Sequence, residues 1–463
     1  MTFRKGLLQR FHQRMATDSS SNLAGMFGGW IPPQKRVLLG GCGKRRRIFS
    51  PMTTFWNFLA QVLNPAQPCR ETVRQIQAAR RLRRKRRISS ATGGYCQARC
   101  RLPEEVLEGI WQAIAQQAAE DSTSAMQWQG LRVAVVDGTA SSMPDTPKNQ
   151  EVWPQPGGQK PGCGFPVVKL LGLFSLATGA VHALVTGNLH SSEHGLFAHL
   201  WSKVASDFDV LLGDRNFGSY VIFAALQSCN RYGVFRLNAR RKMDWRKGQR
   251  LGKFDRVFTW HKPKPSNLNW WLSQPIADSI TVRVLKIWVP TPGFRTRVVF
   301  LTTNLLDTKQ FPAAALAELY RRRWQVELFF RHIKTTMRMD SLRCLSPEMI
   351  RRELHMHMIA YNLIRALMLQ SASLEAKPIE RISFKGTCDT LRQWAPHLVI
   401  AAASPPLYHR LFRSFLKTLS EDIVPLRPNR SEPRAVKRRP KNYQKLTKPR
   451  RLMGNVPRRN HPK

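Results

Sequence analysis

The stretch LRVAVVD (131–137) is a short, β-branched apolar run that ends in Asp-Gly-Thr, and it reads as a buried strand. Working outward, VVKLLGLFSL (167–176) and AVHALVTG (180–187) read as two more strands, joined by a hairpin signal at Ala177-Thr178-Gly179. SSEHGLFAHLWSKV (191–204) follows with helical spacing and a serine in position to cap its first turn. DVLLGD (209–214) is another buried strand, FGSYVIFAALQS (217–228) a helix and YGVFRL (232–237) a strand. Three sequential strands followed by alternating helix and strand make a mixed α/β layer. From Asn238 to about Asn304 the chain turns polar, carries the strand-like runs TVRVLKIWV and RVVFLTT, and holds five of the 13 tryptophans between 245 and 288. A β-rich insertion is expected there, and its pairing of aromatic with basic residues suits stacking on exposed bases.

Composition narrows the partner. The 463 residues include 75 Lys+Arg against 29 Asp+Glu, a formal charge of +46, and the pI is about 11.2. With 42% hydrophobic residues the chain can bury a core, so the surplus belongs to a folded protein and calls for a polyanion. The longest apolar stretch, LLGLFSLATGAV between Lys169 and His182, is too short to span a bilayer, and the basic start lacks a hydrophobic signal core. A cytoplasmic, nucleoid-associated protein is the expectation. The eight cysteines form no CxxC pair; Cys96 and Cys100 have poor spacing for zinc, and reduced thiols suit them better.

The sequence divides into four parts. Residues 1–125 read as a helical basic DNA-binding domain, with clusters at Arg45, Arg46, Arg47 and at Arg84, Lys85, Arg86, Arg87. Residues 126–380 form the α/β core, interrupted by the insertion at about 238–304. A helical segment follows over 381–426. The last 37 residues, 427–463, hold 14 Lys/Arg, one Glu and six prolines, and make an extended basic tail.

Two features carry chemistry. A long helix is expected from near Pro312 past Met337, and at ~100° per residue Tyr320, Arg323, Glu327 and Lys334 fall within a sector of about 60° beside its buried stripe. Asp137 and Asp214 each end an apolar run, where a sheet of this class exposes its binding edge. With Glu327 they supply three carboxylates, hard oxygen ligands suited to Mg²⁺ or Mn²⁺. Two such ions can activate a nucleophile and stabilise the leaving oxygen of a phosphodiester. His190, Glu193 and His194 cluster at a helix start within reach of such a site, though structural or DNA-contacting roles suit them better. Asp145, between Pro144 and Pro147, has turn chemistry and stays outside it.

LYRRRWQVELFFRHIK has the spacing Tyr-x2-Arg-x3-Glu-x6-Lys, which resembles the signature of the insertion-sequence-4 family of bacterial DDE transposases. VVDGTASSMPDTPKNQ is similar to that family's first-Asp block, LLGDRNFGSY to its second, and RISFKGT and the basic tail to its C-terminal segments. The resemblance implies a ribonuclease H-like core, with Asp137, Asp214 and Glu327 as catalytic triad and ligands of two Mg²⁺ (or Mn²⁺) ions. It implies that Tyr320, Arg323 and Lys334 handle phosphate. It also implies double-stranded DNA partners (element ends and target), a homodimer in the synaptic complex, water-driven cleavage at each end, and transesterification by the freed 3′-OH. A metal-dependent nuclease of the same fold without strand transfer, and a non-catalytic nucleic-acid-binding protein, are the rival readings.

Overall fold

The computed structural model describes residues 22–40, 47–82, 85–241, 243–263, 277–288, 298–426, 445–449 and 452–453. Arg45, Arg46 and Arg84 of the basic clusters, Trp270 and Trp271 of the insertion, and nearly all of the 427–463 tail lie outside the described residues. Nine strands form one mixed sheet flanked by helices, an α/β architecture. They are β1 (Val133–Ser142), β2 (Val167–Ser175), β3 (Val181–Gly187), β4 (Val210–Gly213), β5 (Tyr232–Arg236), β6 (Gln249–Gly252), β7 (Asp255–His261), β8 (Ser279–Trp288) and β9 (Val298–Thr303). Their order is β3-β2-β1-β4-β5-β9-β8-β7-β6. β1 to β3 form an antiparallel meander, β4 and β5 add in parallel, and β9 to β6 continue antiparallel. The strands of the 238–304 region therefore extend the central sheet.

Successive residues of β1 are buried in different cores, as a two-residue period requires. Val133 and Val135 face a core built with helices 313–322, 325–331 and 347–374, whereas Ala134 and Val136 face helices 193–198 and 220–228. The helices at 22–27, 51–63 and 104–120 share the first of these cores with helix 347–374. Asn362, fully buried in that long helix, joins the layers: its amide donates to the carbonyls of Trp111 and Val181, both at 2.9 Å, and accepts from the Val181 N–H. The β2–β3 hairpin is held by the same helix. Gly179 has φ +71°, and any side chain there would meet the Arg365 guanidinium, which donates to the Thr178 carbonyl at 2.7 Å. Among the described residues no helix is long and apolar enough to cross a membrane.

Three expectations about local structure need correction. Asp137 does not end its strand: β1 runs on to Ser142 because β2 keeps pairing with it, Asp137 opposite Gly172 and Ser142 opposite Val167. An Asp-Gly-Thr turn signal was overridden by a partner strand that satisfies the backbone. The expected helix at 191–204 is two short ones, Glu193–Ala198 and Trp201–Asp207. The long helix from 312 past 337 is three segments: α-helix at Ala313–Arg322, α-helix at Gln325–Arg331 and a π-helical turn at His332–Thr336. Bonds from residues 323, 324, 326 and 327 reach back three residues, tightening the first junction, while Met337 reaches back five to His332 and loosens the second.

Arg283 of β8 locks the extension to the start of helix 313–322. Its fully buried guanidinium pairs with Asp255 of β7 (Nε to Oδ1 2.9 Å) and donates to the carbonyls of Phe311 at 2.7 Å and Leu305 at 3.2 Å. Removing one member strands the other charge away from water. Arg283→Ala should cost about 3–5 kcal/mol in urea unfolding, and Arg283→Met combined with Asp255→Leu should recover much of it. A loss under about 1 kcal/mol for the single variant would place the anchor elsewhere.

Candidate active site

The parallel pairing of β1 with β4 brings two aspartates level. Val135 pairs with Leu212, so Asp137 and Asp214, two residues further on each chain, emerge at the same height beyond the end of β4. Both follow the parity that faces helix 325–331. Gly172, opposite Asp137, lets that helix approach: a Cβ there would lie 3.3 Å from the Phe330 ring and closer still to Phe174. Phe330 packs edge-on against Phe174 at 5.0 Å, which brings the helix carrying Glu327 down onto the sheet.

Arg323 ties the third carboxylate in. Its Nη1 lies 3.7 Å from Asp137 Oδ2 and its Nη2 3.5 Å from Glu327 Oε1, with only 12% of the side chain exposed. Its Nε is buried and has no hydrogen-bond partner among the described residues. Tyr320 lies beneath it, ring centroid 5.9 Å from the guanidinium, and burial pushes its hydroxyl pKa up. Lys334 is placed by the π-helical turn, and its ammonium donates to Thr139 Oγ1 at 3.1 Å, on the same face of β1 as Asp137. Asp137, Thr139, Glu327 and Lys334 line one shallow cavity of about 330 Å³.

Desolvation, opposed by the Gly138 N–H and Arg323 and reinforced by the charges of Asp214 and Glu327, pushes the Asp137 carboxyl up to about 6. The donor set is hard oxygen, which fits a divalent cation of the Mg²⁺ type. Among the described residues, however, no three His, Cys, Asp or Glu side chains group closely enough to hold an ion, and the Arg323 guanidinium bridges Asp137 and Glu327.

The remaining candidates divide. Glu193 lies on the other face of the sheet: its Oε2 accepts from Asn216 Nδ2 at 3.0 Å and its Oε1 lies 4.0 Å from Lys169 Nζ. His190 is exposed, and His194 packs near Phe217. Asp145 accepts from Gln150 and belongs to a turn. Arg47, Lys85, Arg86 and Arg87 are exposed on the N-terminal helical region. Of the insertion tryptophans, Trp260 is buried against Phe223 with Arg241 stacked on it at 3.9 Å, while Trp288 is half-exposed beside Phe254. Sequence reasoning missed the cleft of about 800 Å³ that Trp245 and Phe254 share with Arg215, Arg236, Arg241, Lys253, Arg256 and Lys286 and, among the described residues, with no acid. The only signal for it was the alternation of basic and aromatic residues.

A family model described as a transposase DDE domain matches residues 128–363. The transposase InsG for insertion sequence element IS4 of Escherichia coli (strain K12) is 25% identical over 433 residues, covering 92% of this chain and 95% of its own. The putative transposase y4zB of Sinorhizobium fredii (strain NBRC 101917 / NGR234) is 41% identical over 63 residues, 14% of this chain and 18% of its own. Among solved structures, the cryo-EM synaptic complex of the piggyBac transposase with hairpin DNA aligns with a TM-score of 0.42 at 10% identity, covering 89% of this chain and 85% of its own.

The raised Asp137 pKa has a consequence for stability. The folded chain holds this proton up to about pH 6, whereas an unperturbed aspartate releases it near 3.8. Ionising Asp137 therefore destabilises the fold in full above about pH 6, and the penalty vanishes below the unfolded value. Asp137→Asn should raise the melting temperature of the metal-free protein at pH 7.5, with the gain shrinking between pH 6 and pH 4. A lower melting temperature at pH 7.5 would mean that the Arg323 pairing outweighs desolvation.

Proposed function

The chain belongs to the DDE transposases of the insertion-sequence-4 type, and from that premise we propose that Asp137, Asp214 and Glu327 are the carboxylates with which it cuts and joins DNA at the ends of its element. The observation that carries this is the placement of the three around the end of β4: two aspartates set level by β1–β4 pairing, and Glu327 joined to Asp137 through Arg323. We read the β3-β2-β1-β4-β5 block, antiparallel and then parallel, as ribonuclease H-like, with β6 to β9 as an insertion ahead of Glu327.

Asp137, Asp214 and Glu327 would hold two Mg²⁺ or Mn²⁺ ions. Bound there, the ions would supply activation of the nucleophile and stabilisation of the leaving oxygen of a phosphodiester. The side chains around them do the holding. Arg323 neutralises two carboxylates, and its guanidinium can grip a phosphate through more than one donor. Lys334, steadied by Thr139 beside Asp137, offers its remaining N–H groups as a point charge. Tyr320 contributes a hydroxyl beneath both. The cationic cleft around Trp245 and Phe254 suits unpaired nucleotides. The exposed N-terminal cations and the basic tail suit duplex phosphates. Bringing two ends together implies at least a dimer on DNA.

Glu327→Gln, Asp137→Asn and Asp214→Asn should each bind element ends normally and lose cleavage. The losses should not add when combined, because the three act as one unit. Purified single variants that still cleave with normal Mg²⁺ dependence would sink the assignment. Nicked, double-strand-broken and joined products, measured separately, then test the cations. Arg323→Ala and Lys334→Ala should retain some first-strand nicking and lose most in the later steps.

Binding has its own test in the full-length protein. Replacing Arg47, Lys85, Arg86 and Arg87 together by alanine should weaken end binding in gel shifts and flatten its dependence on log salt. The slope should fall by roughly 0.9 for each phosphate contact removed. An unchanged slope would move the duplex contacts off this surface.

A further inference from the structure

We propose that Glu193 is a positioning residue for the reaction, a fourth carboxylate that sets Asp214 from the opposite face of the sheet. The inference rests on the assignment of Asp137, Asp214 and Glu327 made above. An acid in the first turn of a short helix is ordinary. The direction and partners of this one are not. Leu196 and Phe197 on the same helix pack in the core on the face away from helix 325–331, so Glu193 rises behind the strands that carry the aspartates.

Its carboxylate is held from several sides. Oε1 lies 4.0 Å from Lys169 Nζ, and that ammonium also donates to the Ser191 carbonyl at 3.0 Å. Oε1 would lie 3.5 Å from a Cβ at Gly138, the residue after Asp137. Oε2 accepts from Asn216 Nδ2 at 3.0 Å. Asn216 in turn donates its backbone N–H to Asp214 Oδ1 at 2.8 Å. The loop beneath is equally fixed, because Ser192 accepts from the Gly195 N–H and the Asn188 side chain accepts from the N–H groups of His190 and Ser191. Glu193 is thus hydrogen-bonded to the residue that orients Asp214 and stands against the residue that follows Asp137.

The chain of contacts assigns the effect. Asp214 follows a four-residue strand and sits in a loop, so its carboxylate needs an external constraint to stay aligned with Asp137. Asn216 supplies that constraint through its backbone, and Glu193 fixes the Asn216 side chain. Lys169 offsets the charge of Glu193, which leaves it as an acceptor for Asn216. Partners that orient a site carboxylate in this way typically change activity by about 10–100-fold when removed.

The test is a double-mutant cycle in the full-length protein, read by single-turnover cleavage of an end duplex, by end binding in gel shifts and by melting temperature. Glu193→Ala should slow cleavage about 10–100-fold with end affinity unchanged. Asn216→Ala should match it, and the double variant should be no slower than either single one. Glu193→Gln keeps an acceptor for Asn216 and should recover to within about fivefold of wild type, which also separates positioning from misfolding. A wild-type rate in Glu193→Ala, losses that multiply in the double variant, or a Gln variant as slow as the Ala variant would each overturn the proposal. Asp214→Asn is run alongside. Cleavage by that variant would bring down the underlying assignment and this inference with it, whereas its inactivity beside a fast Glu193→Ala would overturn this inference alone.

Discussion

Everything at the site depends on the parallel ladder between β1 and β4. Three paired residues, Val133 to Val135 against Val210 to Leu212, fix the height of both aspartates above the sheet edge. A slip of one residue would turn Asp137 into the face packed by helices 193–198 and 220–228 and leave Asp214 behind. The register is protected because both strands are buried on both faces, with apolar side chains committed to two different cores. A parallel pair of this kind needs a long crossover, and that crossover carries Glu193.

The third carboxylate arrives by a different route. Glu327 lies more than a hundred residues beyond Asp214, after a chain segment that leaves the central strands, builds β6 to β8 and returns along β9. Two contacts make that return accurate. Arg283 binds the insertion to the loop ahead of helix 313–322, and Gly172 lets Phe330 settle onto β2. Between them the helical stretch is tightened at Arg323 and loosened at His332, so its side chains do not follow one uniform pitch. The π-helical turn has a use: it sets Lys334 against Thr139, beside Asp137, within the short distance left by the close packing of the helix.

Much of this was legible in the residues. β-branched runs marked β1 to β5 because those strands are buried on both faces and so read as continuous apolar stretches. The offsets of Tyr320, Arg323, Glu327 and Lys334 marked one helical face because three- and four-residue spacings survive small changes of pitch. What could not be read was set by partners distant in sequence. Asp137 sits inside a strand because β2 outlasts the turn signal, and the insertion joins the central sheet because β9 pairs with β5. Glu193 was visible as part of a cluster with His190 and His194 at a helix start within reach of the site, with structural or DNA-contacting roles favoured. Its contacts with Lys169 and Asn216 come from β2 and from the loop after β4, which no local pattern reports.

Charge balance explains why the site is arranged around Arg323. The chain as a whole carries a large positive surplus, yet its most perturbed aspartate is short of positive charge, because burial removes the water that would otherwise stabilise it. Remote lysines and arginines are screened and do little for it. A guanidinium in contact does more: Arg323 spans Asp137 and Glu327 and holds the acidic side chains together without cancelling the desolvation of Asp137. On the function proposed above, the residual penalty would favour added cations at this edge, and the Arg323 guanidinium a phosphate beside them. One buried arginine would then serve both halves of a metal–phosphate pair.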